Sequence, residues 1–156
     1  MNKITIRPYA PADLHDIIDL FKGSVRKVAV KDYSKQQVMV WAPDEINLEH
    51  WREKYTSEDT SVAMLNSTIA GFYKLDNDGY IDMFFVHSDY QRRGIARHMM
   101  DCIIKTAKEA NFSKLYSEVS LTAEGFFERF GFKTIARQTV IKGQTSFINT
   151  KMEKQV

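Results

Sequence analysis

Residues 84–100, FFVHSDYQRRGIARHMM, change structural period partway, and that change limits what the chain can fold into. The apolar run within GYIDMFFV ends at Val86, a polar turn carries Arg92, Arg93 and Gly94, and from Ile95 onward Met99, Ile103, Ala107 and Ala110 recur at helical spacing. Met100 and Ile104 flank that face while Arg97, Asp101, Lys105 and Lys108 lie off it, which predicts an amphipathic helix of about four turns. A second β-rich run, KLYSEV, follows from Lys114. Strands joined by a helical crossover run parallel, so a strand-helix-strand unit sits at the centre of the chain.

Hairpins and helices flank this unit. KITIRPYAPADLHDIIDLF alternates at Ile4 and Ile6, then spaces Leu14, Ile17, Ile18 and Phe21 as a helix, with Pro11 suited to its first turn. Ser34 followed by Gln37 is a capping-box pattern, and Pro43 marks where that short helix stops. Asn47 is placed to cap a further helix that buries Leu48, Trp51 and Tyr55. From Thr60 three strands, TSVAML, STIAGFYKL and GYIDMFFV, are separated by Asn66-Ser67 and by Asp76-Asn77-Asp78-Gly79, turn sequences that predict an antiparallel meander. After KLYSEV come a short helix, TAEGFFERF, ended by Gly131, and two long strands, FKTIARQTVI and TSFINTKME, joined through Lys142-Gly143-Gln144. The predicted fold class is α/β in the α+β sense, with a mixed central sheet of about seven strands and flanking helices. One domain is expected to span 1–156.

At 156 residues, 44% apolar and 27% charged, the chain can bury a core without a disulfide or a metal staple. A formal net charge of +2 does not suggest a nucleic-acid partner. Cys102 stands alone, so no internal disulfide forms. There is no signal-peptide pattern after Met1 and no apolar run near the roughly 20 residues a membrane span needs. The expectation is a soluble cytoplasmic protein with no membrane partner.

A helix N-terminus exposes unpaired backbone N–H groups and a partial positive charge, which suits an anion. Gly94 lets the backbone approach a ligand, Gln91 to Ala96 supply consecutive amides, and Arg92, Arg93 and Arg97 add charge, so the turn offers donors enough for a diphosphate. Taken alone, it reads equally as a solvated basic turn whose glycine serves backbone geometry.

VHSDYQRRGIA resembles the acetyl-CoA signature of the GNAT superfamily of N-acetyltransferases, Gln/Arg-x-x-Gly-x-Gly/Ala at the end of the fourth strand. A second block, TAEGFFERFGF from Thr122 to Phe132, is similar to that superfamily's Ala-x-x-x-Tyr-x-x-x-Gly-Phe segment after the fifth strand, and its Phe-Phe pair looks like one sub-branch. The order of elements matches as well, so the resemblance covers nearly the whole chain. It implies the GNAT fold and an enzyme that moves an acetyl group from acetyl-CoA to a primary amine of a small molecule or peptide, by direct attack on the thioester. It further implies that Gln91, Arg92, Arg93, Gly94, Ile95 and Ala96 wrap the pyrophosphate, with Arg97 beside them. Phe84 and Val86 would offer main-chain hydrogen bonds to the pantetheine arm between splayed strands, and the Val86 amide would serve as oxyanion donor. Two cofactor-contact positions depart from the pattern: Phe127 replaces the frequent tyrosine that protonates the departing thiolate, and Ser120 replaces a frequent asparagine. Water or another side chain then supplies that proton, a modest demand for a thiol with a free pKa near about 8.5.

An amine acceptor is mostly protonated at neutral pH, so a base must take its proton. Period-two alternation predicts that Tyr80, Asp82, Phe84 and Val86 share a strand face, which makes Asp82 the first candidate, directly or through water. Glu118 is the alternate; each carboxylate also reads as an ordinary strand residue. His87 reads as a loop cap rather than a proton relay. The resemblance implies that the first helices and last hairpin set specificity; Tyr33, Trp41, Trp51 and Tyr55 make that region aromatic, and Tyr33, Trp41 and Tyr80 are the candidate acceptor contacts. Cys102 reads as a packing residue. Two other readings stand beside the enzyme: a non-catalytic acyl-CoA-binding sensor or partner protein of the same fold, and an RNA-binding module using Arg92, Arg93 and Arg97, which lacks the interleaved aromatics such modules use. A homodimer is left open.

Overall fold

The computed structural model describes residues 3–55 and 59–156. The elements run β1 (Ile4–Pro8), α1 (Leu14–Lys27), α2 (Lys35–Trp41), α3 (Leu48–Tyr55), β2 (Thr60–Leu65), β3 (Thr68–Leu75), β4 (Ile81–Val86), α4 (Ile95–Glu109), β5 (Lys114–Ser120), α5 (Glu124–Arg129), β6 (Lys133–Lys142) and β7 (Thr145–Gln155). This is the order that sequence periodicity predicts, and several local signals act as expected. Ser34 Oγ accepts from the Gln37 amide (3.1 Å) while Gln37 Oε1 accepts from the Ser34 amide (2.8 Å), and Asn47 Oδ1 accepts from the His50 amide (3.1 Å). On α3, Trp51 and Tyr55 are buried but Leu48 is exposed, because the first turn of that helix stands clear of the core. Ala110, just past α4, is likewise exposed.

β1 to β4 form an antiparallel sheet in the order 1-2-3-4, and each face carries its own core. Val62, Ile69 and Phe72 point toward α1, α2 and α3, whereas Ala63, Leu65, Ala70 and Tyr73 point toward α4, where they meet Ile95, Met99 and Ile103. Burial on both faces explains why β3 reads as an almost continuous apolar run.

The predicted single sheet is in fact two, since β5, β7 and β6 form a separate three-stranded sheet in that order. β4 and β5 are the facing edges, joined by one parallel bridge between Tyr80 and Tyr116. At this seam the Tyr116 amide donates to the Gly79 carbonyl (3.1 Å) and Ser117 Oγ donates to the Ile81 carbonyl (2.7 Å). Gly79, at φ +96°, lies so close to Lys114 that a Cβ would collide with its carbonyl, so the seam needs a glycine twice over. Beyond it the strands diverge, leaving a cleft between two unpaired edges.

A second irregularity lies on β4. Leu75 pairs with Ile81 and Lys74 with Met83, which leaves Asp82 as the extra residue of a β-bulge. The bulge corrects the expected alternation: Ile81, Phe84 and Val86 pack toward α4, Met83 and Phe85 toward α1 and α3, and Asp82 contacts Lys54 of α3 and Lys74 of β3 rather than sharing the face of Phe84.

Candidate active site

The turn between β4 and α4 is held by side chains and leaves its backbone amides open. His87 Nδ1 accepts from the Asp89 amide (3.0 Å), the loop-cap role expected of it, and the Gln91 side-chain amide donates to the carbonyls of Val86 and His87 (both 3.2 Å), folding the turn back on its strand. Arg92 takes φ +61° and Gly94 φ +84°, and the Gly94 carbonyl receives the first helical hydrogen bond, from His98 (3.0 Å). Among the described residues, the amides of Gln91 to Arg97 have no acceptor. A Cβ added at Gly94 would meet nothing within 4 Å, so it would project into the open mouth of the turn. Ile95 anchors the helix in the core, while Arg93 lies over the Tyr90 ring (5.3 Å) and Arg97 over Phe130 (6.0 Å). Neither these two arginines nor Arg92 has a carboxylate partner among the described residues. Free amides, unpaired guanidinium groups and a missing Cβ make a cradle that fits a diphosphate.

From the turn the cleft runs along β4. The His87 amide donates to Ala70 of β3 (2.7 Å), and because backbone polarity alternates along a strand, the N–H groups of Phe84 and Val86 face away from β3 into the cleft. An extended polar chain laid there can be bound as an added strand.

Farther in, β4 and β5 enclose a cavity of about 320 Å³ that also receives α2 and the β6–β7 hairpin. Asp82, Glu118, Tyr80, Phe84, Ser120 and Phe127 all line it, so the structure gathers residues far apart in sequence. Val86 does not line it. Asp82 Oδ2 stands 3.5 Å from Lys54 Nζ and 3.9 Å from Lys74 Nζ, and Lys74 also pairs closely with Asp76. Glu118, on the opposite wall, is exposed and has no ion-pair partner among the described residues. Burial, with Glu118 and Asp82 nearby, pushes the Tyr80 phenol up to about 12, so it keeps its proton at neutral pH. Phe127 is packed between Phe84 (5.4 Å) and Phe132 (5.0 Å), and Ser120 Oγ accepts from the Ala123 amide (3.2 Å) to start the α5 turn.

All three aromatic acceptor candidates line this cavity: Tyr80, Trp41 with Phe147 of β7 beside it, and Tyr33, which also holds the wall together. Its hydroxyl donates to the Ile148 carbonyl (2.7 Å) and accepts from the Leu121 amide (3.0 Å), and burial raises its pKa. Sequence periodicity shows neither Lys142, which reaches the cavity from the hairpin, nor Ser117, which ties its floor. The turn at Lys142-Gly143-Gln144 was the only local signal that this segment folds back.

A split sheet whose facing edges open onto a row of free amides at a helix start is the architecture of an acyl-transferring protein. A family model described as "Acetyltransferase (GNAT) domain" matches residues 29–155. An uncharacterized N-acetyltransferase, YafP, from Escherichia coli strain K12 is 38% identical over 140 residues, 90% of this chain and 88% of that protein. The chain belongs to the GNAT acetyltransferase family. Among solved structures, a GCN5-related N-acetyltransferase from Rhodopseudomonas palustris superposes with a TM-score of 0.94 at 28% identity, covering 100% of this chain and 98% of that one. The PaiA N-acetyltransferase from Thermoplasma acidophilum, solved with coenzyme A, shares the fold at a TM-score of 0.71 and 20% identity over 99% of both chains. No helix among the described residues is long and apolar enough to cross a membrane.

Proposed function

We propose that this acetyltransferase uses acetyl-CoA as donor and a primary amine of a small molecule or peptide as acceptor, with direct attack of the amine on the thioester. One observation carries the reading: the unpaired amides of Gln91 to Ala96 form a diphosphate-sized cradle at the end of β4, and the outward-facing amides of Phe84 and Val86 lie between it and the cavity with two carboxylates. The coenzyme A in the PaiA structure supports the donor assignment through the shared fold. Bound acetyl-CoA supplies an activated acyl carbon; the amine forms the new C–N bond, the C–S bond breaks, and the amine proton leaves.

Gln91 to Ala96, with Arg92, Arg93 and Arg97, hold the pyrophosphate, and the amides of Phe84 and Val86 hold the pantetheine arm. Of these two donors only Phe84 lines the cavity with the carboxylates, so we place the oxyanion role at the Phe84 amide rather than at Val86. Asp82 takes the amine proton through water: its Oδ2 is fixed by Lys54 and Lys74, which pre-positions the carboxylate and leaves Oδ1 without an ion-pair partner. Glu118, free on the other wall, attracts the incoming ammonium. Phe127 packs at the thiol end and water protonates the leaving sulfur.

The experiment is calorimetry with coenzyme A, joined to thiol release from acetyl-CoA across a panel of amines and peptides. Binding with turnover is the expected result. The alternative, a non-catalytic acyl-CoA sensor of the same fold, would be selected by binding without thiol release from any amine.

A further inference from the structure

Beside the cavity between β4 and β5 lies a second, of about 260 Å³, walled by α1, α2 and α3. Trp41, Met83 and Lys142 line both, so the two share a rim. The second is aromatic within: Trp51 packs on Phe21 (centroids 5.1 Å apart) and on Tyr55 (4.9 Å). Charge is divided between them. Asp82 and Glu118 line the first, while the second has Lys54, Lys142 and His50 and no carboxylate. Lys54 already faces Asp82, but Lys142 has no ion-pair partner among the described residues. The shared rim thus presents an uncompensated ammonium between an acidic chamber and an apolar one.

Resting on the acetyl-transfer reading above, we infer that the acceptor is a free α-amino acid with a large aromatic or branched apolar side chain. Its ammonium is drawn toward Asp82 and Glu118, its carboxylate meets Lys142 on the rim, and its side chain enters the aromatic chamber. An α-carbon carries these three groups within a few bond lengths of one another, which matches a rim where acidic, basic and apolar surfaces converge. A plain amine lacks the carboxylate, and in a peptide that carboxyl is an amide, so both leave Lys142 without its partner. Contact at three points also distinguishes mirror images.

The test compares L-phenylalanine, L-phenylalaninamide, 2-phenylethylamine, D-phenylalanine and L-alanine as acceptors. L-Phenylalanine should show a KM about tenfold below that of its amide, the range of a charge-assisted contact. Lys142→Met should abolish that preference, raising KM for L-phenylalanine toward that of its amide, and Lys142→Arg should keep it. D-Phenylalanine and L-alanine should be the poorer acids. Equal KM for acid and amide, or a preference that survives Lys142→Met, overturns the inference. Binding of the same ligands with coenzyme A present, followed through the fluorescence of Trp41 and Trp51, gives a readout independent of turnover. Absence of turnover with every amine, alongside preferential binding of the acid, would overturn the acetyl-transfer reading while supporting the ligand class. Turnover of other amines without acid preference would do the reverse.

Discussion

In the proposed site, the turn that opens α4 offers backbone groups from one contiguous stretch to the donor, whereas the acceptor side offers side chains from α2, α3, β4, β5 and the β6–β7 hairpin. On the first side, side chains mostly serve the turn itself: Gln91 folds it back, Ile95 anchors it, and Gly94 provides φ +84°. On the second, the backbone supports and side chains face the ligand, with Tyr33 and Ser117 holding the walls in place. Backbone recognition tolerates side-chain change wherever φ and ψ survive, while side-chain recognition can be retuned by single substitutions. A transferase whose donor is constant and whose acceptor varies would be expected to divide its site this way.

Substitutions on the two sides should break different quantities. The largest effect belongs to Asp82→Asn, which should lower kcat by about a hundredfold, within the range for a positioned base, while acetyl-CoA affinity stays near wild type. Raising the pH should restore part of the loss by deprotonating the acceptor without help. If Glu118→Gln shows the larger kcat loss instead, the proton-accepting role belongs to the other wall.

On the donor side, Gly94→Val forces a β-branched residue to positive φ and fills the mouth of the turn. At a cost of about 2 kcal/mol, acetyl-CoA should bind roughly thirtyfold more weakly by calorimetry, with the acceptor preference among residual products unaltered. Unchanged affinity in a folded Gly94→Val protein would remove the diphosphate from this turn.

Phe127→Tyr probes where the two sides meet. With water as proton source, steady-state kcat should change by less than about tenfold, or 1.4 kcal/mol of barrier. A much larger activation would show that thiolate protonation limits the wild type.

Smaller still is the effect of Tyr80→Phe on alkaline stability. Burial and the neighbouring carboxylates raise the folded-state pKa of Tyr80 to about 12 from an ordinary 10.0. The contribution from keeping this phenol protonated is therefore complete below pH 10 and lost as pH rises toward 12. Urea midpoints at neutral and alkaline pH should fall less in Tyr80→Phe than in wild type, and equal falls would place Tyr80 in ordinary solvent.

The donor side was legible because each of its signals is local. A strand ending at Val86, a glycine before Ile95 and an amphipathic repeat through Ala107 are contiguous, and alternation together with helix spacing suffices to orient them. The acceptor side was legible only as composition: Trp41 and Trp51 announced an aromatic region, but not that Trp41 lines a shared rim while Trp51 packs beneath it. Asp82 shows most sharply why period counting stops short. One extra residue, set by how Lys74 and Leu75 pair across the hairpin, turned its side chain toward Lys54 and Lys74. A register shift is a property of two strands, and no window on either strand contains it.

By itself the sequence determined the order of elements, the caps and the amide cradle, because these follow from dihedral preference, hydrophobic period and hydrogen bonds between near neighbours. The tertiary structure alone decided that the sheet splits between β4 and β5, that Asp82 and Glu118 face one cavity from opposite walls, and that Lys142 stands over a second. Each depends on where segments distant in the chain come to rest. The seam from which the two sheets diverge runs past Gly79, where the Lys114 carbonyl leaves no room for a Cβ, and a close approach between residues so far apart in sequence is fixed only once both cores have packed.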